Sequence, residues 1–218
     1  MNFDLPPMTR WLLIANIAVY LAQQFFGDAL MLHFALWPLG PDKVLGMDAD
    51  GNLVHAGFRV WQLLTYAFLH GGWEHILFNM LALFMFGGVI ERTFGQREFL
   101  IFYVVCAVVA ALSQLTVIHF FTGGFYPTLG ASGAVFGLLL AFGMMYPRQR
   151  IMLLFPPIPM PAWLFVSGYI GLELFLGVTG TQAGVAHFAH LGGALAGFVL
   201  IEYWRGKLPI KPRRRLLR

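Results

Sequence analysis

From Leu100 to Phe121 the chain reads "LIFYVVCAVVAALSQLTVIHFF", without one Asp, Glu, Lys or Arg. A helix rises about 1.5 Å per residue and the hydrocarbon of a bilayer is about 30 Å thick, so roughly 20 such residues cross it. Further apolar runs follow one another along the chain, and this pattern decides the solvent. Of the 218 residues, 59% are hydrophobic and 11% charged, whereas soluble domains carry about 25% charged residues. A soluble protein this apolar could not cover its own surface. The sequence therefore predicts a polytopic membrane protein.

Six runs are long enough, or nearly so, to count as spans: 11–26, 61–90, 99–121, 132–146, 162–178 and 185–204. About 20 apolar residues in a helix cross the hydrocarbon. The predicted fold class is an all-α membrane protein, a bundle of six transmembrane helices. A short N-terminal piece (1–10) precedes the helical core (11–204), which contains an external loop at about 28–60. A basic tail (205–218) follows. The segment "PPIPMP", Pro156 to Pro161, prevents the fourth and fifth helices from merging. No A-x-A cleavage pattern follows the N-terminus, so the first helix reads as its own uncleaved anchor. The single cysteine, Cys106, lies in an apolar run and reads as a small buried hydrophobe.

Charge orients the bundle. With both termini inside, Arg10, Arg92, Arg97, Arg148, Arg150 and the seven basic residues of "RGKLPIKPRRRLLR" are cytoplasmic, leaving Lys43 and Arg59 outside. The positive-inside rule favours that arrangement. The basic tail then rests on anionic lipid headgroups, and no nucleic-acid partner is expected.

This orientation puts the rare polar groups of the spans at one depth. "TGGFYPTLGA" opens outside and leads to Ser132 at the mouth of the fourth helix. The second helix enters from the same side with His70, His75 and Asn79, and the sixth with His187 and His190. Intramembrane polar groups are costly and usually serve a cavity or partner. A serine hydroxyl beside an imidazole is an activated nucleophile, and its acyl oxyanion needs hydrogen-bond donors. His75 and Asn79, four residues apart, share a helix face. Gly133 with Gly137, and Gly193 with Gly197, form two G-x-x-x-G patterns that permit close helix approach.

The motifs "GASGAVFG", "HGGWEHILFNM" and "AHLGG", in this order, resemble those of the rhomboid intramembrane serine proteases. The resemblance covers nearly the whole helical core. It implies that Ser132 is the nucleophile and His190 the base of a Ser–His dyad. It implies oxyanion contacts from His75 and Asn79, and a Gly130 that shapes the same hole. Phe136, one turn after Ser132, occupies a position where many relatives carry Tyr, and a ring there can stack on His190. Gln62 departs from the family's W-R segment. The implied substrates are transmembrane proteins, cut near the outer face of the membrane, without a cofactor.

Rival readings attach to these residues. His187 could be the base on spacing alone, but only His190 has the following Gly-Gly. His70 reads as a structural hydrogen-bonding residue. The histidine pairs lack H-E-x-x-H spacing, and no carboxylate motif completes a metal site, so no metal is expected. No Asp or Glu is well placed as a third triad member: Glu74 points about 100° round the helix from His75, and Glu173 has no assigned role. A non-catalytic protein that binds or routes membrane segments is the alternative function. Such relatives typically lack the serine or histidine present here. The setting expected is a bacterial inner membrane.

Overall fold

The computed structural model describes residues 5–48, 50–152, 157–180 and 186–212. Eight helices and two small hairpins follow in order. Helix α1 (Pro7–Phe34) begins with proline, whose fixed φ suits a first turn. It breaks locally at Phe26, with φ −123° and ψ 27°. Its N–H groups at the N-terminus meet a buried carboxylate: Glu91 accepts from the Met8 N–H (2.9 Å), the Thr9 N–H (2.7 Å) and the Thr9 hydroxyl (2.8 Å). An acidic group at the positive end of a helix is favourable, and this one fastens α1 to the end of the second span.

The first span is longer than its apolar run. Helix α1 continues through "DALMLHF", because Ala, Leu and Met are good helix formers and Asp28 changes polarity without ending the helix. The region expected as an external loop is correspondingly structured. Leu36 and Thr128 exchange two backbone hydrogen bonds of 2.9 Å. An antiparallel hairpin of β1 (Lys43–Met47) and β2 (Leu53–Ala56) follows.

The run 61–90 is not one helix. It comprises the short α2 (Gln62–Thr65), a 3₁₀ turn over Tyr66–Phe68, and then α3 (Trp73–Ala82). A wide turn (Leu83–Gly87) carries α3 into α4 (Gly88–Phe94). The break comes at "LHGG", where two glycines interrupt the apolar periodicity. Gln62 holds the outer segment down. Fully buried, it accepts the N–H groups of Trp37 (3.2 Å) and Arg59 (3.1 Å) and donates to the carbonyls of His33 and Gly57 (both 3.3 Å). Arg59 instead reaches outward to a bidentate pair with Asp42 at 2.6 and 2.9 Å.

Helix α5 (Gln96–Val117), extended by a wide turn to Thr122, is followed by α6 (Ser132–Met145), α7 (Ala162–Thr179) and α8 (His187–Trp204). The short hairpin of β3 (Arg150–Met152) and β4 (Pro159–Pro161) joins α6 to α7. Among the described residues, four stretches are both long and apolar enough to cross a membrane: Pro7–Phe34, Trp73–Phe94, Gln96–Thr122 and Ala162–Thr179. Helix α6 is shorter, and α8 carries His187, His190 and Glu202 within its 18 residues. The chain is an integral membrane protein.

Helix α6 is central: ten of its 14 residues are buried. It packs against α5 and α8, which also pack on each other, and small residues set the spacing. A Cβ on Gly193 would overlap the Gly133 carbonyl oxygen and lie 2.6 Å from its carbon. One on Gly197 would meet Phe102 Cζ at 3.0 Å and the Gly137 carbonyl oxygen at 3.2 Å. Both G-x-x-x-G patterns therefore lie at the α6–α8 contact, backbone against backbone. Gly133 and Gly137 face α5 as well, where a Cβ would strike Ala110 and Cys106 respectively. Helices α1 and α7 are peripheral, each with three buried residues.

Candidate active site

Ser132 is the first residue of α6, and no side chain caps that helix start. The first N–H groups of a helix have no partner within it, so this mouth offers donors and the positive end of a dipole. The Ser132 hydroxyl lies 2.7 Å from His190 Nε2. The approach depends on the glycine contact one turn further along α8. The Phe136 ring lies flat on the His190 imidazole, with centroids 4.4 Å apart and planes 7° from parallel. Tyr169 of α7 also packs on Phe136, tilted by 46° with centroids 4.9 Å apart.

His75 and Asn79 lie on α3, across the mouth from α8. Gly71 N–H donates to His75 Nδ1 at 3.3 Å, so the neutral ring keeps its proton on Nε2. That Nε2 points at Gly130: a Cβ added there would sit 2.6 Å from it and 3.7 Å from the Ser132 hydroxyl oxygen. Gly130 also has φ +120°, a conformation that side-chain-bearing residues rarely adopt. Glycine is thus required twice, by the backbone turn and by the space His75 occupies. Gly130 N–H is spent on the Tyr66 carbonyl at 2.9 Å. Asn79 is buried and donates one amide hydrogen to the His75 carbonyl at 2.9 Å, which fixes its amide and leaves the second hydrogen.

His70 lies behind this group. It packs edge-on to His75 at 5.1 Å, and its backbone is clamped by Gln23, which accepts the His70 N–H at 2.9 Å and donates to the His70 carbonyl at 3.2 Å. Ser113, a second serine of the spans, packs against Gly192 on α8. Residues 181–185, between α7 and α8, fall outside the described residues, as does the tail from 213 onward.

One expectation fails. A carboxylate does reach His190: Glu173 of α7 lies with Oε2 2.8 Å from His190 Nδ1 and 2.7 Å from His187 Nδ1. All three residues are buried. The same cluster corrects the premise that no carboxylate accompanies the histidines, for one donor atom from each of Glu173, His187 and His190 falls within 4.8 Å of the others. The separations are those of N–H···O bonds. Two ligands on a tetrahedral zinc at 2.0–2.1 Å would stand about 3.3 Å apart. Sequence reasoning left Glu173 unassigned because it is 17 residues from His190, across an interhelical connection. The available signal was an ionisable residue in an apolar span, with Tyr169 and Gly177 at i−4 and i+4 on the same face.

Fold and site together define a helical membrane protein with a serine–imidazole pair at a buried helix mouth. A model of the Rhomboid domain matches residues 57–206, and the chain belongs to the rhomboid family. It is 25% identical over 199 residues to Rhomboid protease GlpG of Yersinia pestis (strain Pestoides F), covering 91% of this chain and 62% of that protein. It is 29% identical over 157 residues to Rhomboid protease GluP of Bacillus subtilis (strain 168), covering 72% of this chain and 28% of that protein. The chain thus spans less than two thirds of the length of these relatives.

Proposed function

We propose that this protein is an intramembrane serine endopeptidase that hydrolyses peptide bonds of transmembrane substrates near the outer membrane face. The observation that carries the reading is the 2.7 Å contact between Ser132 Oγ and His190 Nε2, inside a family whose relatives are named proteases. Ser132 Oγ attacks the scissile carbonyl while His190 Nε2 takes its proton. The tetrahedral oxyanion accepts from His75 Nε2–H, the spare Asn79 N–H and the N–H groups that open α6. His190 then returns its proton to the leaving amine, and water repeats the sequence on the acyl-enzyme.

In this reading six helices cross the bilayer, α3 and α4 together making the second, and both termini face the cytoplasm of a bacterial inner membrane. The basic residues support the orientation. The serine then lies toward the outer leaflet, where water can reach it. A substrate helix must unwind before its carbonyl is accessible, and each unpaired backbone group in lipid costs several kcal/mol. Segments with Gly or Pro near that face are therefore the preferred substrates.

The test is cleavage of a single-span model substrate by the full chain in proteoliposomes, beside Ser132→Ala and His190→Ala. Cleavage by the unaltered chain and its loss in both variants is expected. Tight binding of the substrate without cleavage by the unaltered chain would instead identify a protein that routes membrane segments.

A further inference from the structure

We propose that Glu173 is the positioning carboxylate of a Ser132–His190–Glu173 triad, held in place by His187; this rests on the protease reading above. Glu173 is one of only three buried residues on α7, the others being Ala162 and Val166. A peripheral membrane helix that buries so little has no packing reason to bury a carboxylate. Such a group inside a bilayer is costly unless it is paired. Here its Oε2 takes the Nδ1–H groups of both His187 and His190. A carboxylate oxygen has two lone pairs, so the two imidazoles saturate that oxygen.

The pairing fixes a tautomer. With the His190 proton held on Nδ1 by Glu173, Nε2 presents its lone pair to the Ser132 hydroxyl. When the Ser132 proton moves to Nε2, the imidazolium forms 2.8 Å from the carboxylate oxygen, and Glu173 remains ionised. Without an acceptor at Nδ1, the ring is free to carry its proton on Nε2 and donate to Ser132, which is the wrong polarity for a base.

Helix α7 is shaped for this contact. Tyr169, Glu173 and Gly177 recur every four residues. Tyr169 packs on the Phe136 ring that stacks on His190. A Cβ on Gly177 would come within 3.0 Å of the His187 Cβ, so glycine there lets α8 bring His187 up to the carboxylate. His187 supplies the second donor that stops Glu173 from rotating away. The base is thereby held from three helices: by Ser132 and Phe136 on α6, by its own α8, and by Glu173 on α7.

The experiment uses the full chain in proteoliposomes with Glu173→Gln, which keeps the side-chain volume, and Glu173→Leu, which removes every polar atom. Turnover is expected to fall by about 10²–10⁴-fold, as when a triad carboxylate is neutralised or removed, with KM and melting unchanged in at least the Gln variant. In a His190→Ala background either substitution is expected to add no further loss, because Glu173 acts only through His190. Turnover within threefold of wild type in both variants, or an equal loss with and without His190, would overturn the proposal. A readout independent of cleavage is ¹⁵N NMR of histidine-labelled protein. His190 is expected to carry its proton on Nδ1 in the unaltered chain and to redistribute it in Glu173→Leu. An unchanged tautomer in that variant also sinks the proposal. If the unaltered chain cleaves no better than Ser132→Ala while the tautomer still responds to Glu173, the protease reading fails and the positioning stands.

Discussion

Replacing Gly193 by Ala should uncouple Ser132 from His190 without touching either residue. The added Cβ would overlap the Gly133 carbonyl oxygen and lie 2.6 Å from its carbon. Carbon atoms in good contact stand roughly 3.5–4.0 Å apart. The obstacle is backbone in the interior of a helix, which cannot rotate aside as a side chain can. Helix α8 must therefore retreat from α6 by about 1 Å, the difference between these separations. His190 is one turn away on α8, so its contact with Ser132 lengthens from 2.7 Å to about 3.7 Å, beyond hydrogen-bonding range. A misplacement of about 1 Å can cost about 10² in rate, and overpacking of this kind costs about 1–3 kcal/mol of stability. Gly197→Ala is the graded comparison, since its nearest atom is Phe102 Cζ at 3.0 Å, part of a side chain that can give. Gly171→Ala on α7 is the neutral one, with nothing within 4 Å. Turnover of a fluorogenic membrane-span substrate and thermal melting of the three variants should rank Gly193→Ala far below Gly197→Ala, and Gly171→Ala at wild type. Full turnover by Gly193→Ala at an unshifted melting temperature would refute the reasoning.

Removing the His75 or Asn79 side chain with Ala should lower kcat by roughly 10²–10³ if each donates to the oxyanion; unchanged kcat in both, at equal folded protein, removes them from the site. Gln62→Leu should cost at least about 2 kcal/mol, because buried groups such as the Trp37 N–H lose their partner, and a melting curve identical to wild type would contradict this. The Arg59 guanidinium holds the Asp42 carboxyl below its ordinary value of 3.8. That pair supports the β1–β2 hairpin above this value and releases it as pH falls through the lowered one, so hairpin amide exchange should quicken only in that acidic window, and Arg59→Ala should abolish the step. Chelation of divalent metals should leave turnover unchanged, since His190 needs a proton rather than a metal on Nδ1; a loss that zinc restores would make the Glu173 cluster a metal site.

The sequence by itself determined the solvent and the helical class, and it singled out polar residues that the fold brings to the mouths of three helices. It could do so because hydropathy and short motifs are local: Ser132 with its glycines, His75 with Asn79, and His190 with Gly193 each lie within one or two turns. Helix ends were less legible. Composition changes at Asp28 while α1 continues to Phe34, and an apolar run from 61 to 90 conceals the break at His70–Gly72. Gln62 looked like a gap in a family pattern, and its role depends on carbonyls and N–H groups from Trp37, His33 and Gly57. Glu173 is the plainest case. Its position on an apolar helix was visible, but which way it faced was not, because helix rotation and register are set by how side chains of separate helices interlock. Only the packing of α7 against α8, with Gly177 opposite His187 and Tyr169 on Phe136, turns that carboxylate toward His187 and His190 rather than toward lipid.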